Sequence, residues 1–151
     1  MMHGAPIDGG REQRRFLAVR AGLCLAIITG GLALREFGFR LGLPGFVVKY
    51  GGSMLWGTTV FFLVALAASR LSRRNVALIS AGIAVCVELL RLVHAPWLDA
   101  FRLTLPGALL LGRIFSGWKM LAYGIGIALG MGLDRLGMRA LDRPRRHAGA
   151  R

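Results

Sequence analysis

Four apolar runs, each close to the thickness of a bilayer's hydrocarbon core and each flanked by arginine, constrain this chain more than any other feature. They cover residues 16–34, 52–69, 76–93 and 119–137. A helix needs about 20 predominantly apolar residues to cross ~30 Å of hydrocarbon, and each run approaches that. The second holds an uninterrupted apolar stretch at 60–68. The chain is 55% hydrophobic yet carries a net charge of +13. Both hold at once because the charges sit at the ends of the runs, where a membrane protein places them.

The expected fold is all-α: a polytopic membrane protein built as a four-helix transmembrane bundle. A short interfacial or re-entrant segment precedes the last helix. Residues 1–15 read as a cytoplasmic N-terminal tail, 16–138 as a single transmembrane domain and 139–151 as a basic cytoplasmic tail. Arg14 and Arg15 ahead of an apolar stretch imitate a secretory signal. Arg20 interrupts that stretch and the run continues through Leu34 without a convincing small-x-small site, so it reads as an uncleaved first span. Arg20 is expected to snorkel to the interface along its own aliphatic stem.

Orientation follows from arginine placement. Arg11, Arg14 and Arg15 precede the first run, Arg70, Arg73 and Arg74 fill the second connection, and Arg135, Arg139, Arg143, Arg145 and Arg146 follow the last. An even number of spans puts all three groups on one face, which the positive-inside rule assigns to the cytoplasm. The reading is therefore a multi-pass protein of the bacterial inner membrane with both termini cytoplasmic. The other face also carries Arg35, Arg40, Lys49, Arg102 and Arg113. The tail around Arg143–His147 reads as a topogenic signal touching anionic lipid. It lacks the aromatic interleaving of a nucleic-acid binder, and no nucleic-acid partner is expected.

Between the third and fourth runs, residues 108–111 are apolar but bracketed by Pro106, Gly107, Gly112 and Arg113. Such a piece is too short to cross, so it lies at the interface or re-enters. Trp97, Phe101, Phe115 and Trp118 around it fit an aromatic belt at the membrane surface.

Lipid tails are as apolar as leucine, so membrane helices associate through close backbone approach and polar contacts. Small residues step by four along the first run (Gly22, Ala26, Gly30) and the last (Ala122, Gly126, Gly130), with Gly124, Ala128 and Gly132 on a neighbouring stripe. These faces predict tight packing and leave a homo-oligomer open. In the third run Ala77, Ala81, Ala84, Glu88 and Arg91 form the expected contact stripe. Cys24 and Cys86 both lie in apolar runs and are expected to be buried as small hydrophobes. No Cys/His spacing suggests a metal, and no cofactor is expected.

The candidate polar cluster is Glu88, Arg91, His94, Asp99 and Arg102. Ionisable groups in hydrocarbon cost ~2.5–3.5 kcal/mol each on insertion scales, so a chain that keeps them pairs them, lets them reach the interface or uses them. Glu88 and Arg91, three apart on a helix, can form an internal ion pair that fixes register. Alternatively they meet a ligand, with Trp97, Arg113, Trp118, Lys119 and Tyr123 as further contacts to a headgroup.

Three elements carry a family resemblance. Residues 49–56 resemble a G-D-x-L-W element with Ser53 in the aspartate position. Glu88, Arg91, His94 and the run Ala95-Pro-Trp-Leu-Asp99 to Arg102 resemble E-x-x-Q…P-W-L-D-x-x-R. Gly107, Leu111, Gly112, Phe115, Lys119, Leu121, Tyr123 and Gly126 resemble a G-x-L-L-G…F-x-x-x-D-L-x-x-Y-x-x-G ending. Together these are similar to the bacterial membrane-protein family of unknown function typified by YjgA (domain of unknown function 2809), and more distantly to VanZ-like proteins. The likeness runs from about Arg35 to Gly132. Ser53, Arg91 and Lys119 replace the pattern's Asp, Gln and Asp, which removes paired acids and tells against acid–base catalysis.

The resemblance implies a fold and a location, and the function expected is an uncharacterised, non-enzymatic protein of the cell envelope. It would bind membrane lipids, taking an anionic lipid or antibiotic headgroup at the outer interface, where arginine's planar fork suits phosphate or carboxylate. The alternatives are a membrane-embedded enzyme acting on a lipid headgroup, with Glu88 or His94 as base, and a small transporter component.

Overall fold

The computed structural model describes residues 8–90, 92–93, 95–104, 107 and 117–148. The helices, in chain order, are α1 (Asp8–Phe37), α2 (Gly45–Ala67), α3 (Arg73–Leu90), α4 (Pro96–Leu103) and α5 (Gly117–Ala148). The described residues contain no strand. Helices run beyond the apolar stretches where their flanks are good helix formers. The polar Arg11–Arg15 segment thus belongs to α1, and α2 begins directly after Pro44. The third helix starts and ends earlier than its apolar run, at Leu90. Pro96 opens α4, where its missing N–H costs nothing.

Two helical stretches, Gln13–Phe37 and Gly45–Ala67, are long and apolar enough to cross a membrane. Helix α3 carries Arg73, Arg74 and Glu88 in its 18 residues. The apolar part of α5 is diluted by glycine and interrupted by Asp134.

The second helix is the hub: it packs on α1, α3 and α5, and α3 also packs on α5. Its Phe61 and Phe62, rings edge to face at 5.5 Å, anchor a core with Cys24, Ala65, Val76 and Ile127. Against α5 the two backbones nearly touch. A Cβ on Gly57 would lie 2.7 Å from the Tyr123 carbonyl oxygen, and one on Gly126 would overlap the Met54 carbonyl. Glycine is therefore required at both positions. The approach lets the Thr58 hydroxyl donate to the Gly126 carbonyl oxygen at 2.7 Å. The Ala122–Gly126–Gly130 face of α5 is thus buried as expected.

Several expectations about faces need correction. Gly22, Ala26 and Gly30 are exposed, and a Cβ on Gly22 or Gly30 would meet nothing within 4 Å. Helix α1 packs on α2 through another side. Gly124 and Ala128 are likewise exposed and Gly132 is half-buried. On α3 the buried stripe is Val76, Ser80, Ala84 and Glu88, whereas Ala77 is half-buried and Ala81 exposed. Two adjacent stripes both step by four, and branched Val76 fills the core where Ala77 would leave a void. Cys24 is buried, but Cys86 is exposed. Arg20 does not snorkel: it is buried.

Candidate functional site

The first polar centre lies where α2, α3 and α5 converge. Glu88 in the last turn of α3 is fully buried, and Tyr123 on α5 is buried. The Tyr123 hydroxyl donates to Glu88 Oε2 at 3.4 Å. Tyr123 also packs its ring on Trp56 of α2, centroids 4.9 Å apart and planes tilted by 50°. A carboxylate in such a place must be hydrogen-bonded, because burying it without partners costs several kcal/mol. The phenol meets part of that demand.

Of the other residues read as a site, Asp99 is half-buried in the first turn of α4. Lys119 is half-buried at the start of α5. Trp97 and Trp118 are 73% and 71% exposed, with their indoles on the surface. Arg91, His94 and Arg113 lie outside the described residues, and so does the 108–111 segment. Arg102 belongs to α4, but its side chain is outside the described part. The Glu88–Arg91 pairing therefore lies outside the described residues; among the described contacts Glu88 meets Tyr123. Ser53, in the family's aspartate position, turns its hydroxyl back onto the Lys49 carbonyl oxygen of its own helix at 3.1 Å.

The second polar centre was not anticipated as a unit. Arg20 of α1 donates from Nε to Asp134 Oδ1 at 2.7 Å and from Nη2 to Oδ2 at 3.2 Å. Its Nη1 donates to the Ala65 carbonyl oxygen of α2 at 3.1 Å. From α3, Arg73 donates from Nε to Asp134 Oδ2 at 2.8 Å. One carboxylate thus takes two guanidinium groups, and the knot ties α1, α2, α3 and α5 together at one end. Bidentate arginine–carboxylate geometry is the strong form of this contact. A signal was available: the chain has only seven acidic residues, and one of them, Asp134, stands in an apolar run while Arg20 stands in another.

The two centres occupy opposite ends. Tyr123 and Asp134 are eleven residues apart on α5, about 16 Å at 1.5 Å per residue. Among the described residues no three His, Cys, Asp or Glu side chains gather as a metal ligand set.

Among the described residues the fold is all-helical, with two helices long and apolar enough to span a membrane and with charge buried between helices. The model of the family described as "Protein of unknown function (DUF2809)" matches residues 42–127. That is more than half of the chain, and the chain belongs to this family. The matched span holds Ser53, Glu88, Trp97, Asp99, Lys119 and Tyr123, whereas Arg20 and Asp134 flank it. No solved structure matches the chain.

Proposed function

We propose that this protein is a non-enzymatic, multi-pass protein of the bacterial cell envelope. In this reading α1, α2, α3 and α5 are four spans, both termini are cytoplasmic, and an anionic headgroup binds at the outer interface beside the Glu88–Tyr123 centre. The observation that carries it is inverted polarity. Glu88, Asp134, Arg20, Ser80 and Thr58 are buried, whereas Leu25, Leu63, Leu78, Leu129 and Leu136 are exposed. Large exposed apolar surface marks contact with lipid or a partner, and the buried charges of Arg20 and Asp134 are paired with one another inside the bundle, as charges within membrane helices are.

The outer end of such a bundle presents Trp97 and Trp118, both exposed, and Lys119 beside the latter. Amphipathic indoles favour the headgroup level, and a lysine there supplies a point charge for phosphate or carboxylate. The distant VanZ-like resemblance of this segment points the same way.

The test is purification with native lipids followed by mass spectrometry of what stays bound. Lys119→Gln and Trp118→Ala should reduce a retained anionic lipid, and Trp118→Ala should do so without lowering the melting temperature of the empty protein. A bound lipid that is chemically altered relative to the Glu88→Gln variant would replace this reading with an enzymatic one.

A further inference from the structure

At the end opposite Glu88, a cavity of about 470 Å³ opens beside the Arg20–Asp134–Arg73 knot. This is within the ~300–1,000 Å³ typical of small-ligand sites. Gln13, Phe16 and Arg20 of α1, Arg70 in the α2–α3 connection, Arg73 of α3 and Met138 of α5 are among its walls. Among the described residues none of the lining side chains is acidic.

Among the described residues the charge around it is unbalanced. Among the described residues Asp134 is the one carboxylate bonded to Arg20 or Arg73, and it serves both. Arg70, exposed at the rim, adds a third cation. The surplus is also held in place. Asp134 takes Arg73 through Nε alone, so the carboxylate fixes the guanidinium while Nη1 and Nη2 have no hydrogen-bond partner among the described residues. Arg73 keeps 41% of its side chain exposed, unlike Arg20, whose nitrogens are occupied by Asp134 and Ala65. A pre-oriented planar donor pair beside a second arginine suits a tetrahedral oxyanion, and Phe16 and Met138 give the same cavity an apolar side.

We infer that this cavity binds a phosphate group through Arg70 and Arg73, with Asp134 orienting Arg73. The group comes from an anionic phospholipid headgroup or from free phosphate. Basic pockets between membrane helices on the cytoplasmic side are a recurrent form of headgroup recognition. The lipid source rests on the membrane reading above; binding of free phosphate does not.

The experiment uses full-length protein, delipidated in a neutral detergent. It is titrated with inorganic phosphate, with phosphatidylcholine bicelles containing phosphatidic acid, and with phosphatidylcholine bicelles alone. Thermal shift and native mass spectrometry read binding. Arg70→Gln, which leaves the knot intact, should weaken binding about tenfold, the loss of one charged hydrogen bond, at an unchanged melting temperature of the empty protein. Arg73→Gln should weaken it at least as much and also lower that temperature. Arg135→Gln, an exposed arginine outside the cavity, should bind as the parent does. Stabilisation by phosphate alone identifies the free anion, and stabilisation by phosphatidic acid only identifies the headgroup. Binding of neither ligand overturns the proposal. Equal losses in Arg70→Gln and Arg135→Gln would assign the effect to diffuse surface charge and overturn it too. Loss in Lys119→Gln with Arg70→Gln unaffected would move the site to the outer end, against this inference.

Discussion

Arg20 and Asp134, 114 residues apart in the chain, meet at 2.7 Å in the interior of the bundle. Their pairing closes the first long helix onto the last, and the third joins through Arg73. Asp134→Asn would leave two guanidinium groups without a counter-charge, one of them buried. Breaking a buried pair from one side costs about 3–5 kcal/mol, so the melting temperature in detergent should fall clearly. The double change Arg20→Met with Asp134→Leu should recover much of that loss, since apolar replacement of a whole pair is often neutral. A double variant as unstable as Asp134→Asn would show that Arg73 or Ala65 depends on the pair more than the geometry suggests.

Gly126 and Gly132 lie on one helix and make opposite predictions. Gly126→Ala places a methyl against the Met54 carbonyl and must push α5 away from α2. The cost should be about 1–3 kcal/mol, typical of overpacking. Gly132 has open space around it, so Gly132→Ala should be neutral or stabilising by about 0.5–1 kcal/mol. Denaturation of the two variants side by side measures the difference.

Tyr123→Phe removes a donor to Glu88 while keeping the ring against Trp56. Leaving a buried acceptor less satisfied costs about 1–3 kcal/mol. Glu88→Gln in the Tyr123→Phe background should then cost less than Glu88→Gln alone. Additive losses in this cycle would mean that the hydroxyl and the carboxylate act independently.

Cysteines at Ser72 and Ala150, in a background with Cys24 and Cys86 replaced, should label from the same side of the membrane. A cysteine at Ala100 should label from the other. Labelling of all three from one side would remove the four-span arrangement.

What the sequence determined by itself is what composition encodes locally. Apolar runs near 20 residues, bounded by arginine and glycine, specify helices and their approximate places, because helix formation depends on neighbours in the chain. The family was legible for a similar reason: the Pro96-Trp97-Leu98-Asp99 run and the glycine pattern toward Gly126 are short linear signals. The buried Ala122–Gly126–Gly130 face was also legible, since only small side chains permit contact between backbones.

Tertiary structure alone decided which of two equivalent faces is used. Gly22–Ala26–Gly30 on α1 has the same spacing as the buried face of α5 but stays exposed, and Val76 rather than Ala77 enters the core. Periodicity defines stripes; only the shape of the neighbouring helix selects one. The same holds for charge. In the sequence Arg20 is a long cation near the start of an apolar run, with an aliphatic stem able to reach the interface. Its inward course follows from Asp134 and the Ala65 carbonyl, brought beside it by the packing of α2 and α5. No feature within a helical turn of Arg20 records those partners, because a Coulombic contact depends on distance in space and not on separation along the chain.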